Sequence, residues 1–167
     1  MKKYTLIVLV MVLALSAFFL GGSFTQATAK EPKILEFSTM VGVPDPYTGA
    51  TNAIRGVPGG GKAWAISSAE GELKTNGKLE ITVRGLVLAE GANIGKNPIA
   101  NFKAIVSCQS KDASGLATTV NVSTGLFPAD LAGNSKIEET LSLPSPCIAP
   151  IIFVTSPTGS WFAATGQ

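Results

Sequence analysis

Alternating apolar and polar residues are clearest between positions 69 and 88, which read AEGELKTNGKLEITVRGLVL. Leu79, Ile81 and Val83 share one side of an extended chain, and the residues between them are polar. This spacing is typical of an antiparallel strand with one face buried. The Asn-Gly pair that precedes the strand indicates a tight turn, so the segment predicts a β-hairpin.

The parity of the apolar residues selects the length of the hairpin loop. A two-residue loop would place Lys74 opposite Leu79, whereas a three-residue loop over 75–77 places Leu73 there and aligns the apolar faces. We therefore predict a type I turn that ends with Gly77 in the left-handed conformation. Gly59 lies in the segment GVPGGGK, which we interpret as a loose surface loop where alanine would be tolerated.

Other segments carry strand patterns of the same kind. Prolines end the first of them, and a bulge at residues 84–85 is expected to keep Leu86 and Leu88 on the buried side of the hairpin. The uninterrupted run IIFVT predicts a strand buried on both faces. The predicted strands outside the hairpin lie at 33–43, from Trp64, and at 101–109, 116–123, 137–143, 151–155 and 160–165.

No stretch shows a sustained helical period. About eight or nine short strands separated by turns predict an all-β protein, an antiparallel β-sandwich of immunoglobulin-like architecture. A small β-barrel is the alternative. The immunoglobulin order of Cys, Trp and Cys is absent, because no Trp lies between the two cysteines.

The first 29 residues have the zones of a secretory signal peptide: Lys2 and Lys3, an apolar run over 6–20, and the small residues Ala27 and Ala29. We expect cleavage after Ala29, which leaves a single secreted domain over 30–167. An uncleaved anchor is the alternative, although the run is shorter than the roughly 20 residues that span a bilayer. Membrane contact is expected only through this leader, if it is retained.

The chain contains two cysteines, Cys108 and Cys147. Both lie after the leader, and an exported protein meets an oxidising compartment, so we predict one disulfide between them. Two buried thiols are the alternative. The alternation in NFKAIVSCQ points Cys108 toward the core together with Phe102, Ala104 and Val106.

Charge and the lack of histidine exclude several functions. Without Lys2 and Lys3, the thirteen basic residues become eleven and equal the eleven acidic ones, so the domain has no attraction for nucleic acid. The sequence contains no histidine, which removes Ser-His and Cys-His catalysis and the common zinc sites. No cofactor or metal is indicated. A histidine-free hydrolase would need a carboxylate pair or a lysine-activated serine.

The segment Gly56 to Lys62 partly matches a phosphate-binding loop. Ala63 follows where the motif needs a Ser or Thr, and the next predicted element is a strand instead of a helix. We therefore expect no nucleotide to bind here.

Glu139 is the one carboxylate that alternation places on an apolar face, with Ile137 and Leu141. A buried carboxylate would be a functional candidate. A bulge at residues 138–139, or a strand end open to water, would remove the anomaly, and we favour this interpretation.

Aromatic residues are the remaining candidates for ligand contact. Trp64, Trp161, Tyr47 and Phe162 would form a sugar-stacking platform if they were exposed, as in a carbohydrate-binding module. Large aromatic residues in a domain of this size are more often part of the core, and we favour that interpretation.

The segments GVPGGGKAWAI, GELKTNGKLEITVRGLVL, NFKAIVSCQ and FVTSPTGSWFAATG together resemble a group of small exported bacterial proteins that carry no assigned function. The resemblance implies an exported β-domain with a disulfide and supplies no site residue. Our leading hypothesis is a non-catalytic extracellular or cell-envelope β-domain that acts by surface contact with protein or glycan. A carbohydrate-binding module and a histidine-free hydrolase are the alternatives.

Overall fold

The computed structural model describes residues 30–165, which form twelve β-strands and no helix. No helix able to cross a membrane occurs among them. Eight strands have four residues or more, in agreement with the predicted eight or nine, and four have only two. The predicted leader over 1–29 lies outside the described residues. The strands are β1 (Lys33–Phe37), β2 (Val41–Gly42), β3 (Trp64–Ala65), β4 (Ser68–Lys74), β5 (Lys78–Arg84), β6 (Val87–Leu88), β7 (Asn101–Lys111), β8 (Ala117–Ser123), β9 (Phe127–Pro128), β10 (Ser135–Thr140), β11 (Ile148–Thr155) and β12 (Trp161–Ala164).

Two antiparallel sheets contain the longer strands. The four-stranded sheet has the order β1-β4-β5-β10, and the six-stranded sheet has the order β2-β12-β11-β7-β8, with β9 also paired to β7. Strands β3 and β6 form a separate pair. None of these sheets closes on itself, so the fold is the predicted all-β sandwich and the barrel alternative is not observed in the described residues.

The central hairpin has the predicted register. Leu73 lies opposite Leu79, and residues 75–77 form the loop between β4 and β5. Gly77 has a φ of +85°, and its N–H donates to the Lys74 carbonyl at 3.0 Å. The three-residue loop with a left-handed Gly77 is therefore confirmed.

The apolar faces of the two sheets supply one core. On the four-stranded sheet, Leu79, Ile81 and Val83 are at most 1% exposed. On β7 the predicted inward face is fully buried, and Ile105 and Ser107 on the opposite face are buried as well. The IIFVT run pairs with β7 on one side and β12 on the other, and its residues 152–155 are buried on both faces, whereas Ile151 is partly buried. The core residues include Leu73, Leu86, Phe102, Val106, Ile137, Ile152 and Phe153.

Two predicted strands are divided between sheets. The predicted strand 33–43 breaks after Phe37, so that β1 belongs to one sheet and β2 to the other. Met40, in the crossing segment, is 5% exposed, so the crossing itself contributes to the core. The strand predicted from Trp64 also breaks, because β3 pairs with β6 before β4 begins. Periodicity along the chain does not reveal a change of partner strand.

The expected bulge at residues 84–85 is a break between β5 and β6. Gly85 has a φ of +64° at this point, which glycine adopts with little strain. Leu86 and Leu88 are buried as predicted. The prediction that both apolar sets lie inside is therefore confirmed, although the strand does not continue through the irregularity.

Cys108 and Cys147 form the predicted disulfide, which closes a separation of 39 residues. Cys108 is fully buried, as the alternation in β7 indicates. The alternative of two free thiols is wrong. In the chain-entropy account, a closed loop of this length stabilises the fold by roughly 4 kcal/mol.

The interpretation of Gly59 as part of a loose loop is wrong. Gly59 is buried, and its N–H donates to the Gly49 carbonyl at 2.8 Å. A β-carbon at this position would lie 1.9 Å from the carbonyl oxygen of Tyr47. The sequence shows only that the segment is rich in glycine; close packing of the main chain requires glycine here.

Alanine at Gly77 should be strongly destabilising. Besides the left-handed φ, a β-carbon would lie 1.9 Å from the Leu141 carbonyl oxygen, so we expect Gly77→Ala to lower the free energy of unfolding by more than about 1 kcal/mol. Gly61→Ala is the control because nothing lies within 4 Å of its β-carbon, and its effect should stay within about 0.5 kcal/mol. Urea unfolding of both variants measures the difference. Equal losses would show that the turn is misassigned.

Candidate functional site

Three of the four candidate aromatic residues lie in the core. Trp64, Trp161 and Phe162 are 5%, 3% and 4% exposed, and the Trp64 ring stacks on Phe162 with centroids 4.0 Å apart. Tyr47 is the exception, with 42% of its surface exposed. The exposed sugar-stacking platform is therefore not formed, and the interpretation of the two tryptophans as core residues is confirmed.

Glu139 faces the same side as Ile137, as alternation predicts. Its register with β5 is regular, opposite Leu79, so the proposed bulge at residues 138–139 is wrong. Glu139 lies near the end of β10 and is half-buried, and its Oε2 accepts a hydrogen bond from the Gly125 N–H at 2.8 Å. The carboxylate therefore links the β8–β9 connection to β10.

Main-chain groups of the Gly-rich segment form hydrogen bonds with other parts of the protein. The Gly60 N–H donates to the Trp161 carbonyl, and the Trp161 N–H donates to the Pro58 carbonyl, both at 2.8 Å. Phosphate-binding loops need amides that point to the ligand. The amides of Gly59 and Gly60 already bind carbonyl oxygens, so these two are unavailable to a phosphate.

The outer face of the four-stranded sheet carries a network of ion pairs. Glu36, Glu72, Glu80 and Glu138 lie directly opposite one another across the four strands. Carboxylates in such a row repel one another. Lysines on both sides of the row bridge neighbouring glutamates, at distances from 2.5 to 4.0 Å. We call this set the charge network: Lys33, Glu36, Glu72, Lys74, Lys78, Glu80, Lys136 and Glu138.

Hydrogen bonds within the charge network shift the pKa values of several of its members. Hydrogen bonds from Lys33 and then Lys74 lower the pKa of Glu72 to about 2. Hydrogen bonds from Lys136 and then Lys78 lower the pKa of Glu138, and the hydrogen bond to Glu80 is the main cause that raises the pKa of Lys78. The network holds equal numbers of lysines and glutamates, so the network itself carries no net charge.

A cleft of about 540 Å³ on this face is lined by four glutamates, Glu36, Glu70, Glu72 and Glu80. Glycoside hydrolysis requires one carboxylic acid with a raised pKa beside a second carboxylate. Glu72 has a lowered pKa, and Glu36 and Glu80 bind lysines. The hydrogen bonds from Lys33 and Lys74 favour the ionised form of Glu72, which is the opposite of what a general acid needs.

Arg55 ties two strands of the six-stranded sheet together. Its Nη1 donates to the Ser107 carbonyl of β7 at 3.0 Å and to the Ala149 carbonyl of β11 at 2.9 Å. The register of β11 against β7 shifts at this point, between Ile148 and Ile151. The guanidinium thus bridges the strands where their own ladder is irregular.

The turn that carries Arg55 has its own strain. Ile54 and Val57 exchange main-chain hydrogen bonds at 2.9 and 3.0 Å, which leaves Arg55 and Gly56 as a two-residue loop. Both have positive φ, +50° and +79°, as a type I′ turn requires. Asn121 Nδ2 also donates to the Arg55 carbonyl at 3.0 Å. These contacts hold a non-glycine residue in a disfavoured conformation.

An apolar groove of about 640 Å³ lies between the segments 97–100 and 129–132. We call it the Asn97 groove. Leu131 on its rim is 76% exposed, the highest value among the large apolar residues of the described chain. Pro98, Ile99, Ala129 and Ala132 also line it. Most of the surface that lines the groove is apolar, and Asn97 and Asp130 are its polar members.

Buried Asn97 holds both sides of the groove. It is 1% exposed, and its Nδ2 donates to the carbonyls of Ile99 and Asp130, both at 2.8 Å. Its main-chain N–H donates to the Leu131 carbonyl at 2.9 Å. One side chain therefore positions two loops relative to each other.

Asp130 fixes the second loop from the other side. Its Oδ1 accepts from the Asn134 N–H at 2.9 Å, and its Oδ2 accepts from Asn134 Nδ2 at 3.0 Å. Hydrogen bonds from Asn134 lower the pKa of Asp130. Asn134 Oδ1 in turn accepts from the Gly85 N–H at 3.2 Å, which ties the loop to the end of β5.

Searches of protein-family models, curated proteins and solved structures found no match to this chain. The resemblance to small exported proteins therefore rests on sequence pattern alone.

Sequence reasoning missed Arg55, Asn97 and Leu131. A signal existed only for Arg55, since Arg-Gly between two apolar residues is compatible with a two-residue turn. The side-chain contacts of Arg55 and Asn97 join residues far apart in the chain. Pattern along the sequence cannot indicate such contacts.

Loss of one ion-paired carboxylate should change stability in a pH-dependent way. Because the pKa of Glu72 falls from about 4.5 in an unpaired state to about 2 in the fold, its stabilising effect is fully present above pH 4.5 and is lost as the pH falls through 2. We expect Glu72→Gln to be less stable than the parent protein at pH 7 and to lose most of this deficit by pH 2. Urea unfolding across this range measures the effect.

Glu70→Gln is the matched control for Glu72→Gln. Glu70 lies on the same strand, and no ion pair joins it to another described residue. Its replacement should change stability little at any pH. A Glu72→Gln deficit that stays constant from pH 7 to pH 2 would contradict the assigned role of the charge network.

Removing the Arg55 side chain should weaken the six-stranded sheet. Arg55→Ala leaves two carbonyls without their charged donor, and we expect a loss of about 1–3 kcal/mol in the free energy of unfolding. Arg84→Ala replaces an exposed arginine at the end of β5 and should stay within about 0.5 kcal/mol. Thermal or urea unfolding compares the two. Equal effects would show that the Arg55 contacts are not stabilising.

Proposed function

We propose that the protein is a non-catalytic extracellular or cell-envelope β-domain that acts by surface contact, and that its contact site is the Asn97 groove. The observation that carries the proposal is the exposure of Leu131 on a loop held in place by a fully buried asparagine. Binding loses less conformational entropy when the contact surface is already ordered. Exposed loops on a rigid scaffold are common places for binding residues.

The chemistry of the groove favours a protein partner. Its lining is mainly aliphatic and proline, as at the centre of many protein interfaces. A glycan-binding surface would more often present exposed aromatic rings, and both tryptophans are buried. The lack of histidine and the ion pairing of the glutamates support a role without catalysis.

The disulfide supports an extracytoplasmic location. Disulfides persist in oxidising compartments and are rare in the cytosol. The signal-peptide pattern of residues 1–29 and the Cys108–Cys147 bond both support the proposed location.

A charged residue at the rim of the Asn97 groove tests whether the groove binds a partner protein. Leu131→Asp removes an apolar contact and adds a charge, so a partner protein should bind at least roughly tenfold more weakly, which corresponds to about 1.4 kcal/mol. Ile148→Asp is the control, because Ile148 is also exposed (58%) and pairs with Gln109 at the other end of β7. Immobilised protein is exposed in parallel to envelope and extracellular protein extracts and to a glycan array.

The outcomes separate the alternatives. The proposal is supported if a protein binds saturably, binds more weakly to Leu131→Asp and binds Ile148→Asp as tightly as the parent protein. Binding confined to the glycan array, or a protein partner that is indifferent to Leu131→Asp, would contradict it.

A further inference from the structure

The outer strands of the two sheets differ in how they are protected from pairing with another chain. An unprotected edge strand presents unpaired N–H and C=O groups that recruit further strands, and proteins block this with charges, proline or short edges. β1 carries Lys33 and Glu36, and β10 carries Lys136 and two glutamates. β2 has only two residues. β8, with seven residues, contains no charge and no proline.

The direction of the main-chain groups of β8 follows from its ladder with β7. At the two ends of the ladder, the Asp112 N–H donates to the Leu116 carbonyl and the Thr124 N–H donates to the Ala104 carbonyl, both at 2.9 Å. Antiparallel partners alternate between hydrogen-bonded and non-hydrogen-bonded pairs. The residues that bond to β7 are therefore the even-numbered ones, Thr118, Val120 and Val122.

The other residues of β8 turn their N–H and C=O groups away from β7. These residues are Ala117, Thr119, Asn121 and Ser123, and all four are exposed. Within the described part of the chain, no hydrogen bond joins these outward N–H and C=O groups to another strand or loop. β8 thus offers four consecutive donor–acceptor sites along an uncharged edge.

We propose that β8 is a strand-addition site whose occupant is the β8 strand of a second copy of this chain, paired antiparallel about Val120. A two-fold axis there places Val120 opposite its own copy, Thr118 opposite Val122 and Thr119 opposite Asn121. Each outward residue then meets another outward residue, so all four exchange their main-chain hydrogen bonds. An isologous pairing of this kind closes on itself and does not propagate.

Electrostatics favour this occupant over a charged peptide. The strand carries no charge, and the domain has equal numbers of basic and acidic residues. Two copies therefore approach without the net repulsion that keeps many proteins apart. The two-fold register uses the whole length of β8 and places no charged side chain opposite another.

A charge placed on this edge should prevent the pairing. Sedimentation equilibrium of the purified protein should show a concentration-dependent mass of two chains, and Thr119→Lys should raise the dimer Kd at least tenfold. Thr140→Lys puts the same charge on β10, an edge that is already charged, and should change the dimer Kd less than twofold. Matching unfolding curves confirm that both variants fold.

Hydrogen exchange identifies the surface directly. The N–H groups of Thr119 and Asn121 should exchange slowly in concentrated protein and rapidly after dilution, whereas those of Val120 and Val122 should stay slow under both conditions. A protein that is monomeric throughout, a dimer that ignores Thr119→Lys, or protection of Thr119 and Asn121 only by an added extended peptide would overturn the proposal. None of these outcomes depends on the Asn97 groove, so the two proposals fail separately.

Discussion

Burial of the apolar faces of two antiparallel sheets against each other is the interaction on which the remaining features depend. Strand β7 is its centre, because it pairs with β8, β9 and β11 and is buried on both faces along most of its length. The disulfide joins β7 to the segment before β11, and Arg55 joins the same two strands at their irregular step. The disulfide, the Arg55 hydrogen bonds and hydrophobic contacts thus all stabilise the β7–β11 region.

The two sheets differ in the charge of their exposed residues. The outer face of the four-stranded sheet places four glutamates in a row and compensates them with lysines, which satisfies the charges and leaves β1 and β10 poorly suited to strand addition. The far edge of the six-stranded sheet has no such protection at β8. The outer strands of the two sheets therefore differ in their protection against strand addition.

Small numbers of hydrogen bonds hold the surface loops of this protein in place. Asn97 orders two loops with four hydrogen bonds, three that it donates and one that its side chain accepts, and Glu139 holds the connection between β8 and β9 through the Gly125 amide. These residues are polar groups that the core or its margin encloses, and a buried polar group must find partners. Their burial therefore orders the loops that the protein presents to solvent.

Local pattern in the sequence determined the hairpin with Leu73 opposite Leu79, the inward face of β7, the burial of the IIFVT run and the cysteine pair. Side-chain alternation and turn chemistry act between residues that are close in the chain. Two cysteines have only one possible pairing, so the disulfide could also be predicted without the tertiary structure. Tertiary structure alone decided that residues 33–43 cross between sheets, that Gly59 packs against the Tyr47 carbonyl, and that Arg55 and Asn97 bridge distant segments. These features depend on which strands become neighbours, and sheet order is set by the packing of the whole core, which no local periodicity encodes.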